Sequence, residues 1–165
     1  MDEKLDEARA RLLKLSEVAE ADGEPLRWFE ELYAGAGRDS EEIPWAKMEA
    51  NPKMIEWIAE RSEITGRALV VGCGLGDDAE WLSAAGFDVT AFDLSQSSID
   101  WCHERFPQSS VNYKLVHSTC LHIYLFHFPL QSIDNEIQIY LLSYSYCWLR
   151  DTLLLISWQF LLTLR

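Results

Sequence analysis

The chain has 165 residues, 48% of them hydrophobic and 25% charged, with a formal net charge of −13. That length builds one domain with a sizeable core. The acidic balance argues against a nucleic-acid partner, which needs a basic patch, and suits a neutral or cationic small ligand.

In chain order, residues 2–21 read as an amphipathic helix, with Leu5, Leu12, Leu15 and Ala19 at helical spacing. Gly23 ends it. Pro25 suits a first turn, and "PLRWFEELYAG" continues as a short helix offering Trp28, Leu32 and Tyr33 for packing. "AGAGRDSEE" reads as a loop and "IPWAK" as a turn carrying Trp45. Asn51-Pro52 opens a helix to about Glu63, with Met54, Ile55, Trp57 and Ile58 inward. From Gly66 the period changes. "RALVV" is a short buried strand, "VVGCGLGDD" a glycine turn, and "DDAEWLSAAG" a helix with an acidic first turn, stopped by Gly86. "FDVTAF" is a second strand ending at Asp93. Ser95 caps the helix "QSSIDWCHERF", and "SVNYKLV" is a third strand. Strand and helix alternation of this kind predicts an α/β fold with a Rossmann-like, doubly wound parallel sheet.

No apolar leader precedes the charged start "MDEKLDEARARLLK", so no secretory signal is read there. The four cysteines (Cys73, Cys102, Cys120, Cys147) form no CxxC and suit a reducing cytoplasm. Cys73 reads as a packed thiol in the turn. His117, His122 and His127 recur every five residues, which places them on neither one helix face nor one strand face, so no metal site is expected.

Ligands of such sheets bind beyond the carboxyl ends of the strands, where Gly72, Gly74 and Gly76 lie. Glycine permits a left-handed backbone and lets a ligand approach closely. Asp93, ending the neighbouring strand, has the chemistry to accept hydrogen bonds from ribose hydroxyls. Two cofactor classes compete. A dinucleotide prefers G-x-G-x-x-G, whereas here the spacing is G-x-G-x-G and Asp77 holds the third position, followed by Asp78. Two carboxylates repel a pyrophosphate but tolerate the sulfonium and ammonium of S-adenosylmethionine. Asp77 and Asp78 are in the first instance dipole-favoured first-turn residues. Trp28 and Trp57 read as core, and Trp45 as either core or ligand-facing.

"GRALVVGCGLGDDAEWLSAAGFDVTAFDLSQSSIDWCHERFP" resembles class I S-adenosylmethionine-dependent methyltransferases, most nearly the bacterial group related to thiopurine methyltransferase. "WFEELYAG", "IPWAK" and "NPKMIEWI" resemble that group's N-terminal segment, so the likeness covers about residues 25–113. It implies a cytoplasmic enzyme that binds S-adenosyl-L-methionine and methylates a small molecule, a thiol or another soft nucleophile. It also implies that Gly72, Gly74 and Gly76 line the methionine and ribose part, that Asp93 binds the ribose hydroxyls, that Leu94 flanks the adenine, and that Trp45 lies in a segment over cofactor and substrate. Methyl transfer to a thiolate needs alignment and water exclusion rather than a dedicated base, so no catalytic residue is named.

The chain thus divides into an N-terminal helical segment of the same domain (1–65), a cofactor-binding βαβαβ half (66–113) and an atypical tail (114–165). All eight glycines lie at or before Gly86, and from Lys114 onward three acidic residues balance three basic ones. The tail lacks the family's adenine-side acid, with His117 and Ser118 near that position, and lacks its Phe-Asp fourth strand. It is too short for the further strands, each βαβ unit taking about 30 residues or more. The sheet is therefore expected to be incomplete, and a frameshift or misjoined segment near Lys114 accounts for the change in composition; a divergent tail is the competing reading. "IQIYLLSYSYCWL" and "TLLLISWQFLLTL" are apolar but shorter than the roughly 20 residues a membrane span needs. The alternative function is a non-catalytic cofactor-binding or protein-interaction module that docks through this apolar tail.

Overall fold

The computed structural model describes residues 2–60, 66–116 and 139–142. Helix α1 (Asp2–Ala21) turns one stripe inward: Ala8 and Ala19 are buried and Leu12 and Leu15 pack against the core, while Leu13 and Val18 stay in solvent. Helix α2 (Arg27–Gly35) buries Trp28, Phe29, Leu32 and Tyr33. It starts two residues after Pro25, because a preceding turn, closed by the Arg27 N–H on the Glu24 carbonyl, takes up the proline first. Inside the expected loop, Ser40–Glu42 forms one 3₁₀ turn, capped by Asp39. Helix α3 (Pro52–Ala59) opens as expected, with the Asn51 side chain accepting from the Lys53 N–H. It buries Met54 and Ile58 and half-buries Ile55 and Trp57; its expected end near Glu63 lies outside the described residues.

The sheet contains β1 (Arg67–Val71), β2 (Asp88–Asp93), β3 (Asn112–Leu115) and β4 (Ile139–Leu142), all parallel, in the order β3-β2-β1-β4. Helices α4 (Asp77–Ala84) and α5 (Gln96–Arg105) make the crossovers. The chain steps from β1 outward to β3, then returns to the other side of β1, which is the doubly wound order. Period two divides the sheet's faces. Ala68, Val70, Val89 and Ala91 face α3, α4 and α5 in one core cluster, and Leu69, Val71, Phe92 and Val116 form another cluster.

Strand β4 gives the sheet a fourth member. The sequence after Tyr113 has no "FDLVV"-like strand, yet Ile139–Leu142 pairs with Ala68–Val71 along the β1 edge. A parallel ladder is made by backbone groups, so an uncharged run such as "IYLL" suffices without the Phe-Asp pair. Cys120, Cys147, the three tail histidines and Ser118 lie outside the described residues. Among the described residues no helix is long and apolar enough to cross a membrane, and no group of His, Cys, Asp and Glu is arranged to hold a metal ion.

A third cluster joins α1, α2 and the 3₁₀ region to the sheet domain. Ala19, Trp28, Leu32, Tyr33 and Ile43 pack with Leu75 of the glycine turn and Trp101 of α5, and Trp45 and Leu94 lie at its margin. The N-terminal helices therefore lean on the turn that the sequence marks as the ligand loop.

Candidate active site

The order reverses at β1, so the crevice beyond its carboxyl end is where a ligand of this architecture binds. Gly72, Gly74 and Gly76 follow there with φ of 66°, 53° and 88°, all left-handed. The loop they form is tied down on every side. The Cys73 N–H donates to the Phe92 carbonyl at 3.0 Å, and the Gly74 N–H to Asp93 Oδ2 at 2.9 Å. The Gly74 carbonyl accepts from Ser98 Oγ at 2.6 Å and from Cys102 Sγ at 3.2 Å, and the Leu75 carbonyl accepts from Arg105. A loop held this way keeps its shape before any ligand arrives.

The glycines differ in what they make room for. A Cβ on Gly74 would lie 3.1 Å from the Tyr33 hydroxyl, and one on Gly76 only 2.5 Å from that of Tyr113, with Cys102 Sγ and Phe106 also close. Gly76 thus turns its missing side chain toward the interior, where it lets α4 and the loop pack on β3 and α5. Its backbone, not its Cα face, is what remains for a ligand.

Asp93 is 6% exposed at the end of β2. Its Oδ2 accepts from Gly74 and its Oδ1 from the Ser95 N–H at 3.1 Å. Burial pushes its carboxyl above the usual carboxylate range; the backbone N–H groups pull the other way, and the Glu30 charge adds to the rise. With the Leu94 N–H a third backbone donor, the carboxylate orders the loop and has acceptor capacity left for one hydroxyl. Leu94 is half-buried beside it.

Trp45 is half-buried, and its Nε1–H donates to the Tyr33 hydroxyl at 3.0 Å. Its ring meets those of Trp28, Phe29 and Tyr33 edge-on at 6.1–6.5 Å between centroids. Trp28 is core, stacked on Phe29. Burial, then the Asp93 charge, pushes the Tyr33 phenol well above its usual value, so it stays protonated. Cys73 is packed as expected: hydrogen bonding with Cys102 and burial hold its thiol far above the usual range.

Several residues near the loop had no signal in the sequence. Arg105 grips Asp77 with both guanidinium nitrogens, at 2.7 and 3.1 Å. Asp78 Oδ1 accepts the Asn51 N–H at 2.7 Å; burial, with Asp77 adjacent, raises its pKa. Glu30 reaches from α2 to the N-terminus of α5 and accepts from the hydroxyls of Ser95 and Ser97 at 2.6 Å and from the Ser97 N–H at 3.1 Å. Burial pushes Glu30 up, but these hydrogen bonds outweigh it and hold the carboxyl below its usual value. The N-terminus of α5 is therefore served by a carboxylate of the chain itself, whereas α4 starts at Gly76 without a side-chain cap and carries Asp77 and Asp78 in its first turn.

The family model described as thiopurine S-methyltransferase matches residues 38–129. The match begins after "WFEELYAG" and runs past Tyr113, farther than the motifs alone indicate. A ubiquinone biosynthesis O-methyltransferase of Thiobacillus denitrificans is 29% identical over 110 residues, 65% of this chain and 41% of that protein. One of the same description from Aromatoleum aromaticum is 40% identical over 52 residues, 31% of this chain and 22% of that protein. The chain therefore spans at most about two fifths of the length of these relatives. Among solved structures, one described as converting a disulfide bond into a thioacetal group during echinomycin biosynthesis is 26% identical, with a TM-score of 0.46 over 53% of this chain and 37% of that one. With more than half of its residues matched by the family model, and the glycine loop and Asp93 inside the matched span, the chain belongs to the thiopurine S-methyltransferase family.

Proposed function

We propose that the chain binds S-adenosyl-L-methionine through the loop at Gly72, Gly74 and Gly76, with Asp93 on the ribose hydroxyls and Leu94 and Trp45 along the bound molecule, and that it serves methyl transfer to a small molecule. The observation that carries this reading is the Gly74–Asp93 hydrogen bond, which couples a left-handed glycine loop after β1 to the acid ending β2. The bound donor supplies a methyl group already activated on a sulfonium. The chain's own part is to hold that donor in line with an acceptor and to keep water away. Arg105 and the Asn51 N–H balance Asp77 and Asp78, and Glu30 keeps the start of α5 in place under the loop.

The family description names a sulfur acceptor, and the relatives are named for oxygen methylation. We favour a thiol or similar soft nucleophile, because a thiolate is populated near neutral pH and makes no demand for a base. A cytoplasmic setting agrees with free, packed thiols at Cys73 and Cys102. The three-part division at residues 65 and 113 and a misjoined tail remain parts of this reading, supported by the charge-balanced, glycine-free composition after Lys114. That composition also favours a second reading, a cofactor-binding module without catalysis that docks a partner through the tail.

Calorimetric titration with S-adenosylhomocysteine tests the binding site. Binding that Asp93→Ala abolishes supports it, and no binding to a folded chain rejects both cofactor readings. Methyl transfer to matched thiols and phenols then separates sulfur acceptor, oxygen acceptor and module.

A further inference from the structure

Residues 43–51 run without helix or strand between the 3₁₀ turn and α3. They are moored on both sides of the glycine loop. On one side Ile43 is buried and Trp45 donates to the Tyr33 hydroxyl, which itself abuts Gly74. On the other, the Asn51 N–H donates to Asp78, two residues past Gly76. Between the moorings Lys47, Met48 and Glu49 are exposed, and Met48 is left-handed at φ 57°. A methionine gains nothing from that conformation by itself; it persists where the chain on either side is held.

We propose that Asp78 is a positioning residue, the latch that holds the 43–51 strap closed across the glycine loop and so retains the methyl donor. The proposal rests on the donor reading above. The neighbouring acid cannot take the role, since Asp77 is occupied by Arg105. The first turn of α4 suits a carboxylate electrostatically, so Asp78 offers a charged acceptor that a single backbone N–H engages or leaves. The other mooring is held by packing as well, since Trp45 lies edge-on against Trp28, Phe29 and Tyr33, whereas the Asp78 end rests on one hydrogen bond and is the end to release.

Trypsin cleavage after exposed Lys47, followed by mass spectrometry against cleavage after Lys14 of α1, reads the strap in the full-length chain. Asp78→Ala is expected to raise Lys47 cleavage about tenfold and to speed S-adenosylhomocysteine dissociation similarly, while Asp78→Asn, which keeps an acceptor oxygen, stays within about threefold of the parent. Bound S-adenosylhomocysteine is expected to slow Lys47 cleavage in the parent. Met48→Asn, better suited to the left-handed region, should slow it without ligand, and gives the readout if Asp78→Ala does not fold. Unchanged cleavage in Asp78→Ala, equal effects of the Ala and Asn variants, no slowing by Met48→Asn, or ligand that binds without protecting Lys47 overturns the latch. Failure of the parent to bind S-adenosylhomocysteine overturns the donor reading and the retention role; the Ala-to-Asn contrast in ligand-free chain still decides the latch.

Discussion

Gly76→Ala isolates the demand that packing makes on the ligand loop. At φ 88° a side chain costs about 1–2 kcal/mol of backbone strain. The new Cβ would also stand 2.5 Å from the Tyr113 hydroxyl, which cannot swing away freely because it donates to Glu80 at 2.7 Å. Overpacking of that kind adds about 1–3 kcal/mol. The expected loss is therefore about 2–5 kcal/mol, a large part of the roughly 5–15 kcal/mol that holds a domain. Gly86 is the control: its φ is 96°, but nothing lies within 4 Å of a Cβ there, so Gly86→Ala should cost only the strain, about 1–2 kcal/mol. Equilibrium urea unfolding with an unchanged m-value measures both. In a Tyr113→Phe background the Gly76→Ala penalty should shrink by about 1–2 kcal/mol, since the closest atom is gone while Cys102 Sγ and Phe106 remain. Equal costs at Gly76 and Gly86, or a penalty untouched by Tyr113→Phe, would refute the packing account of this glycine.

Glu30→Gln should weaken the hold of α2 on α5 by about 1 kcal/mol at pH 7, a charge-assisted hydrogen-bond value discounted for partial exposure. Because the Glu30 pKa is held below its usual 4.5, its contribution is present above that pH and is lost as pH falls through the folded value. Urea unfolding from pH 7 to pH 3 should therefore show a shallower acid loss in the variant, and parallel curves would exclude this group as a source of acid sensitivity. Arg105→Met removes the bidentate grip on Asp77 and the hydrogen bond to the Leu75 carbonyl; about 1.5–3 kcal/mol should disappear from thermal or urea unfolding. Trp45→Phe keeps the edge-on aromatic contacts but takes from the buried Tyr33 hydroxyl its hydrogen bond, so urea unfolding should find about 1–2 kcal/mol less stability and calorimetry an S-adenosylhomocysteine affinity down by about fivefold.

Much of this protein was determined by local pattern. The switch from helical spacing to short apolar runs after Gly66, the Asn51 and Ser95 caps, and the glycine turn between "LVV" and an acidic first turn are properties of neighbouring residues. They place Gly72, Gly74 and Asp93 at adjacent strand ends because parallel strands joined by crossovers bring successive carboxyl ends to one side. What each residue does there depended on groups far away in the chain. Asp77 and Asp78 are indistinguishable as neighbours, yet one pairs with Arg105 and the other receives the Asn51 N–H. Glu30 looks like an ordinary helix acid until α2 lies beside the start of α5. Gly76 looks like a ligand glycine until Tyr113 fills its side-chain space. The fourth strand shows the same limit, since backbone pairing accepts almost any apolar run and only the free edge of β1 selects Ile139–Leu142. Period, caps and breakers act within a turn or two of chain and can be read from it, whereas hydrogen-bond partners and filled space are set by residues that meet only after the chain has folded.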